Sequence, residues 1–220
     1  MSTILIKRFL SILALIFPAG LISFTSSHLN SPISSSSAFS YSLLQGSKVS
    51  IRGSTNVNDF VCFSQETYSP LSGNFFINDV RNTITFEDVI LNVRAESFEC
   101  GNVVMNKNLC QTLRAEKYPF IIVAPVQAGS KNGEALNFFQ WTHMTCKLYI
   151  TLAGERRLQQ IDFVAKQTSD GTYHFIGEHN ISLSQYHLNP PSALFGLVKV
   201  KDIIIVKFDL VVQANASLLE

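Results

Sequence analysis

Apolar and polar residues alternate with a period of two along much of this chain. Val49-Ser50-Ile51-Arg52 and Ile84-Thr85-Phe86-Glu87 are the plainest cases. Such alternation sets one series of side chains against an interior and the other towards solvent, the mark of half-buried strands. The pattern predicts further strands over 58–63, 89–99, 119–126, 142–152, 156–165, 173–178 and 198–212. The short connections Ala153-Gly154-Glu155 and Ser169-Asp170-Gly171 predict antiparallel hairpins, because glycine supplies the positive φ of a tight turn. Asp202 interrupts the last apolar run, where a bulge or register break is expected.

One internal segment has helical period instead. Over 103–116, Met105, Leu109 and Leu113 recur at a spacing of four with polar residues between them, and Tyr118-Pro119 ends the run. The stripe predicts a short amphipathic helix packed across one end of the strands. Its polar face is not rich in cations, which argues against a membrane-binding helix. A closed antiparallel barrel of about eight strands would leave room inside for one small apolar ligand. A β-sandwich needs the same alternation, so pattern alone leaves both open.

Composition sharpens this picture. Seventeen phenylalanines in 220 residues, with abundant Val and Ile, favour pleated surfaces. Lys7-Arg8, an apolar run from Phe9 to Phe17, a weaker one from Leu21 to Phe24, and Ser/Thr-rich sequence from Thr25 follow the order of a secretory signal peptide. The alternative is a retained anchor, since Pro18 and Gly20 interrupt the run without forbidding insertion. The expected organisation is a signal peptide at 1–26, a flexible serine-rich lead-in at 27–40 and one domain at 41–215, in the periplasm or secreted. Loss of the leader removes Lys7 and Arg8 and no acid, taking the formal charge from +1 to −1. Without a basic block, nucleic acid is not an expected partner.

Four cysteines, Cys62, Cys100, Cys110 and Cys146, lie in the exported part and allow three pairings or four free thiols. Cys62–Cys100 is the first expectation, because both end strand-like runs that could meet at one rim; Cys110–Cys146 is the second. Their spacing fits neither a redox dithiol nor a zinc knuckle.

Three blocks resemble the YceI-like family of exported bacterial proteins. The first is Gly53-Ser54-Thr55-Asn56-Val57-Asn58-Asp59-Phe60-Val61-Cys62. The second is Phe98-Glu99-Cys100-Gly101-Asn102-Val103-Val104-Met105, followed by Lys117-Tyr118-Pro119-Phe120-Ile121. The third runs from Leu183 to Asp202 and includes Pro190-Pro191. The likeness covers about residues 41 to 212. It implies an all-β fold, an eight-stranded antiparallel lipocalin-like barrel with a short covering helix, whose apolar cavity holds a polyisoprenoid chain such as that of a quinone. It does not imply an enzyme. Cys110, where the family's helix more often carries an apolar residue, and the segment 128–141 depart from the pattern.

Inward apolar side chains would bind an isoprenoid by removing its carbons from water, at roughly 0.8 kcal/mol per CH2. Candidate wall residues are Phe60, Phe75, Phe86, Ile121, Val123, Phe138, Trp141, Leu148, Phe163, Phe175, Phe195 and Phe208; ordinary core packing is the competing reading for each. Asn56, Asn58, Asp59, Gln185, His187 and Asn189 could hold a polar head group, with His187 the leading candidate and turn capping the alternative for Asn56 and Asn189. No cofactor beyond a bound polyisoprenoid or quinone-like lipid is expected, and no metal. A homodimer or an envelope protein partner is left open. His174 and His179 would face opposite ways on a strand, and no nucleophile–base set, acid pair or glycine-rich phosphate loop occurs.

Overall fold

The computed structural model describes residues 36–216 apart from 69, 79 and 194–196. The expected signal peptide therefore lies outside the described residues. The strands are β1 (Ser36–Leu43), β2 (Lys48–Ser54), β3 (Asp59–Ser64), β4 (Leu71–Asn78), β5 (Thr83–Glu87), β6 (Leu91–Arg94), β7 (Phe98–Glu99), β8 (Phe120–Ser130), β9 (Thr142–Leu152), β10 (Glu155–Gln167), β11 (Tyr173–Ser182), β12 (Ser192–Ala193), β13 (Val198–Lys199) and β14 (Ile203–Ala216). One α-helix, α1 (Val103–Thr112), and two 3₁₀ turns, Ala95–Ser97 and Leu183–Tyr186, complete the described elements.

Alternation accounts for the strands directly. Along β9, Met144, Cys146, Leu148, Ile150 and Leu152 are all buried while the residues between them are more exposed. Ala153 and Gly154 both take positive φ, 47° and 85°, which closes β9 onto β10 in two residues. A side chain at Gly154 would also strike the Tyr118 ring, 2.7 Å from where its Cβ would stand. At the next hairpin the Asp170 carboxylate accepts from the Thr172 amide and hydroxyl, a turn built from side-chain to backbone bonds.

Two sequence expectations need correction at the level of elements. The strand expected over 89–99 is β6, a 3₁₀ turn and β7, because the chain bends at Ala95–Ser97. The last apolar run does break at Asp202, as expected, into β13 and β14, and Asp202 stands between them as an acceptor: it receives the Ser182 and Ser184 hydroxyls and the Ser184 amide at 2.5–2.9 Å. These bonds hold its carboxyl below the ordinary range, Ser182 contributing most. β1 begins at Ser36, inside the segment read as a flexible lead-in, and β4 was not anticipated at all.

The expected closed eight-stranded barrel is not what forms. Antiparallel pairing runs β1-β4-β5-β8-β9-β10-β11-β14, and β14 also pairs with β1, so eight strands make a ring of ladders at one end. The sheet then branches. Residues 212–216 of β14 pair with β1, but residues 205–209 pair with β2, which continues to β3 and β7. In the same way β8 pairs with β5 over 127–129 and with β6 over 120–123. Among the described residues no ladder joins β7 to β6, so the sheet is open at this second end. The helix is correspondingly not a cover across a barrel. None of its residues is fully buried, and α1 lies beside the Ala95–Ser97 turn on the open side.

Candidate ligand-binding site

The open end encloses an apolar cavity of about 450 Å3. Its wall is made by the inward positions of β2, β3, β6, β7, β8, β9, β10, β11 and β14, by one side of α1 and by Pro191, Ser192, Val198 and Val200. The alternation that forms the strands therefore also lines the cavity: Val49 and Ile51, Val93 and Leu91, Leu148, Ile150 and Leu152, Ile204, Val206 and Phe208 are each spaced by two. Gly53 stands opposite Phe60 across β2–β3, and a Cβ there would lie 2.2 Å from the ring, so glycine lets this ring lie across the neighbouring strand.

Helix α1 is positioned by a compact set of polar bonds. Asn102 caps its start, accepting from the Val104 amide at 2.8 Å. Glu99 accepts from the Asn106 amide group and the Gly101 backbone, and Asn106 accepts from Cys100. Met105, Leu109 and Leu113 then face the cavity. A disulfide, Cys62–Cys100, joins β3 to the segment after β7 with Cα atoms 4.0 Å apart, and both cysteines line the cavity. Closing a loop of this separation, 38 residues, contributes roughly 4 kcal/mol by restricting the unfolded chain. The second expected pair does not form. Cys110 on α1 and Cys146 on β9 are free thiols, and burial pushes the Cys146 thiol up to about 12.

The polar residues on the wall are Thr55, Asn58, Asn108, Thr112 and Ser192, all uncharged. Asn58 and Ser192 are also the exposed ones, which places the mouth between the β2–β3 turn and Pro191-Ser192. Asn56 fastens this mouth. Its amide donates to the Leu197 carbonyl and accepts from the Lys199 backbone, both at 2.8 Å, so it stitches two chain segments together and is not a head-group ligand.

Of the residues singled out from sequence, Phe60, Ile121, Val123, Leu148 and Phe208 line the cavity. The others do not. Phe163 and Phe175 pack beyond its inner end, with ring centroids 6.0 Å apart and Phe163 6.4 Å from Phe208. Phe138 meets Tyr173 edge-on at 5.8 Å. Phe75 and Phe86 face each other across β4–β5, with Tyr41 against Phe75. Trp141 is half exposed just before β9. His187 takes a left-handed conformation after the Leu183–Tyr186 turn, its ring 3.3 Å from Arg157 and its carbonyl accepting from Arg114, away from the cavity wall. Phe195 lies outside the described residues. Sequence reading favoured aromatic residues and missed the aliphatic majority, although the period-two rows in β2, β9 and β14 carried that signal.

A short polar chain sits behind the wall. Tyr186, fully buried, accepts from Gln159, whose carbonyl oxygen lies 3.2 Å from His179 Nε2. Burial holds the His179 pKa below its ordinary value, against the opposing pull of Asp162. Among the described residues, no group of three or more His, Cys, Asp or Glu side chains is placed to hold a metal ion.

No protein-family model matches the chain, and no curated protein matches it in sequence. Its fold does match solved structures. Burkholderia cenocepacia BcnA is similar over 75% of this chain and 95% of its own, with 17% identity and a TM-score of 0.56. A polyisoprenoid binding domain from Saccharophagus degradans, implicated in plant cell wall breakdown, is similar over 81% of this chain and 99% of its own, with 12% identity and a TM-score of 0.56. A Campylobacter jejuni YceI protein is similar over 69% and 82%, with 15% identity and a TM-score of 0.49. The likeness to BcnA and to the polyisoprenoid binding domain is one of fold.

Proposed function

We propose that this protein binds an apolar lipid of the isoprenoid type, holding the chain in the cavity and its head at the mouth. One observation carries the reading: a chamber of about 450 Å3 lined by branched aliphatic side chains, with polar groups confined to uncharged hydroxyls and amides. That volume falls within the range of small-molecule sites, roughly 300–1,000 Å3. Uncharged polar groups on the wall suit a carbonyl or hydroxyl head, which needs one or two donors, better than an ionised one. Phe60, Ile121, Val123, Leu148 and Phe208 are the contacts expected from the original set. The similar structure described as a polyisoprenoid binding domain supports the same ligand class. The role is binding, transport or storage, and among the described residues no arrangement on the wall offers a nucleophile with a base.

The disulfide fits export to an oxidising compartment, the cell envelope or beyond. Purification from the native envelope, followed by solvent extraction and mass spectrometry, should yield a prenyl lipid in a fixed ratio to protein. A lipid-free protein that also fails to take up a polyprenol presented in detergent would overturn the reading, and leave a non-catalytic interaction module in its place.

A further inference from the structure

The cavity mouth carries two features that lipid binding alone does not require. Val57, at the tip of the β2–β3 turn, is 71% exposed, and Leu197 is 73% exposed. Single exposed aliphatic residues are ordinary on protein surfaces. These two are held together, because Asn56 beside Val57 is bonded to the carbonyl of Leu197 itself. The second feature is charge. Along 198–201 the side chains alternate: Val198 and Val200 enter the cavity wall, while Lys199 and Lys201 point outwards. The Lys199 amide is tied to Asn56 and the Lys201 amide to Ser54, so both lysines stand on the same rim. Lys107, on the outer side of α1, adds a third cation. Among the described residues none of the three takes part in an ion pair. The acids on these elements are Asp59, Glu99, which accepts from Asn106, and Asp202, which accepts from Ser182 and Ser184; all three keep their charge.

We infer that the mouth docks on the surface of an anionic bilayer, with Val57 and Leu197 entering the headgroup boundary and Lys107, Lys199 and Lys201 meeting lipid phosphates. This rests on the lipid-binding reading, and adds a route by which an apolar ligand would pass between membrane and cavity without crossing water. Apolar insertion combined with basic residues is the chemistry of interfacial binding, and each lysine near an anionic surface contributes about 1 kcal/mol. A protein partner would not need the exposed apolar pair to border a lipid chamber.

The test is flotation of the whole protein with vesicles of phosphatidylethanolamine and phosphatidylglycerol, against vesicles of phosphatidylcholine. Wild-type protein should float with the anionic vesicles and much less with the neutral ones. Val57→Glu with Leu197→Glu should abolish flotation, whereas Val80→Glu, an exposed valine in the β4–β5 connection, should not. Lys199→Gln and Lys201→Gln, both changes at exposed side chains, should each weaken anionic binding by about fivefold, the equivalent of about 1 kcal/mol. All variants should retain uptake of polyprenol presented in detergent, which reads the cavity separately from the mouth. Absence of flotation by the wild type, or flotation by the Val57/Leu197 double variant equal to wild type, overturns the docking inference. Loss of detergent-presented uptake in the wild type overturns the lipid-binding reading instead.

Discussion

The interior of the sheet is divided between two kinds of side chain. Beyond the cavity's inner end, Phe163, Phe175, Tyr173 and Phe138 pack ring against ring, and Gly177 leaves space for Phe208, whose ring would stand 2.5 Å from a Cβ there. At the other end the wall is mostly Val, Ile and Leu around open volume. Strand β9 passes through both: Met144 and Cys146 lie in the packed part, and Leu148, Ile150 and Leu152 face the cavity. Rings fill the packed end, and aliphatic residues, joined by Phe60, Phe98 and Phe208, bound the open one. Apolar composition by itself does not distinguish a core from a container; which neighbours the side chains meet does.

The largest effect should separate two truncations on that single strand. Met144→Ala removes contacts on every side and should cost about 3 kcal/mol, within the range for buried large-to-small changes. Leu148→Ala, whose side chain has open volume on one side, should cost clearly less in lipid-free protein, because a void supplies no contact to lose. Calorimetric unfolding of the two variants checks this, and equal costs would erase the division drawn between the halves.

Added bulk should sharpen it from the opposite direction. Ala165, fully buried in the packed half, has no room for a larger side chain, so Ala165→Leu should cost about 1–3 kcal/mol. Val123→Trp should instead occupy cavity volume, lowering bound lipid strongly while changing the thermal midpoint little. Lipid content and midpoint measured on the same samples decide it. A large loss of stability at Val123 with unchanged lipid would place that residue in a solid core.

A smaller effect is expected at Asp202, on the turn behind the mouth. Its folded pKa is depressed by hydroxyl and amide donors, so its contribution to stability is present above the unfolded value, about 4, and is lost as pH falls through the folded value. Asp202→Ala should therefore cost about 1 kcal/mol at neutral pH after solvent screening, and the difference from wild type should shrink in acid. Denaturant titrations at pH 7 and pH 2.5 would show this; a pH-independent difference would assign the effect to packing.

The mildest probe is alkylation without reductant. Cys146, buried in the packed half with a thiol pushed up to about 12, should stay unmodified in native protein at pH 8, while half-buried Cys110 reacts slowly. Unfolding should then expose two thiols and no more. Four would mean that Cys62 and Cys100 are not joined.

Strand alternation, the hairpins at 153–154 and 168–172, the inward stripe of α1 and the Cys62–Cys100 pair were all legible from local pattern. The branching of the sheet was not. Residues 205–209 and 212–216 of β14 belong to one apolar run, and nothing in that run marks where its neighbour changes from β2 to β1. The strands β1 and β4 escaped for a related reason: Ser36–Leu43 and Leu71–Asn78 are rich in serine, asparagine and glycine, and take extended form through pairing rather than through strong propensity. The weight given to phenylalanine put Phe75, Phe86, Phe138, Phe163 and Phe175 on the candidate wall, where they do not stand. Its period told which face a ring occupied, but not whether other rings would fill the space beside it.

The exchange of partners along β8 and β14 also sets a girth. From β8 to β14 the shared arc is β8, β9, β10, β11 and β14, completed at one end by β1, β4 and β5 and at the other by β2, β3, β7 and β6. One more strand stands in the second perimeter, and neighbouring strands lie roughly 4.8 Å apart, before the unpaired gap is counted. The vessel is tapered by strand number, and its capacity is a property of the backbone. Side-chain substitutions on the wall can trim the fit, but extending the β1–β14 ladder at the expense of β2 would narrow the chamber itself.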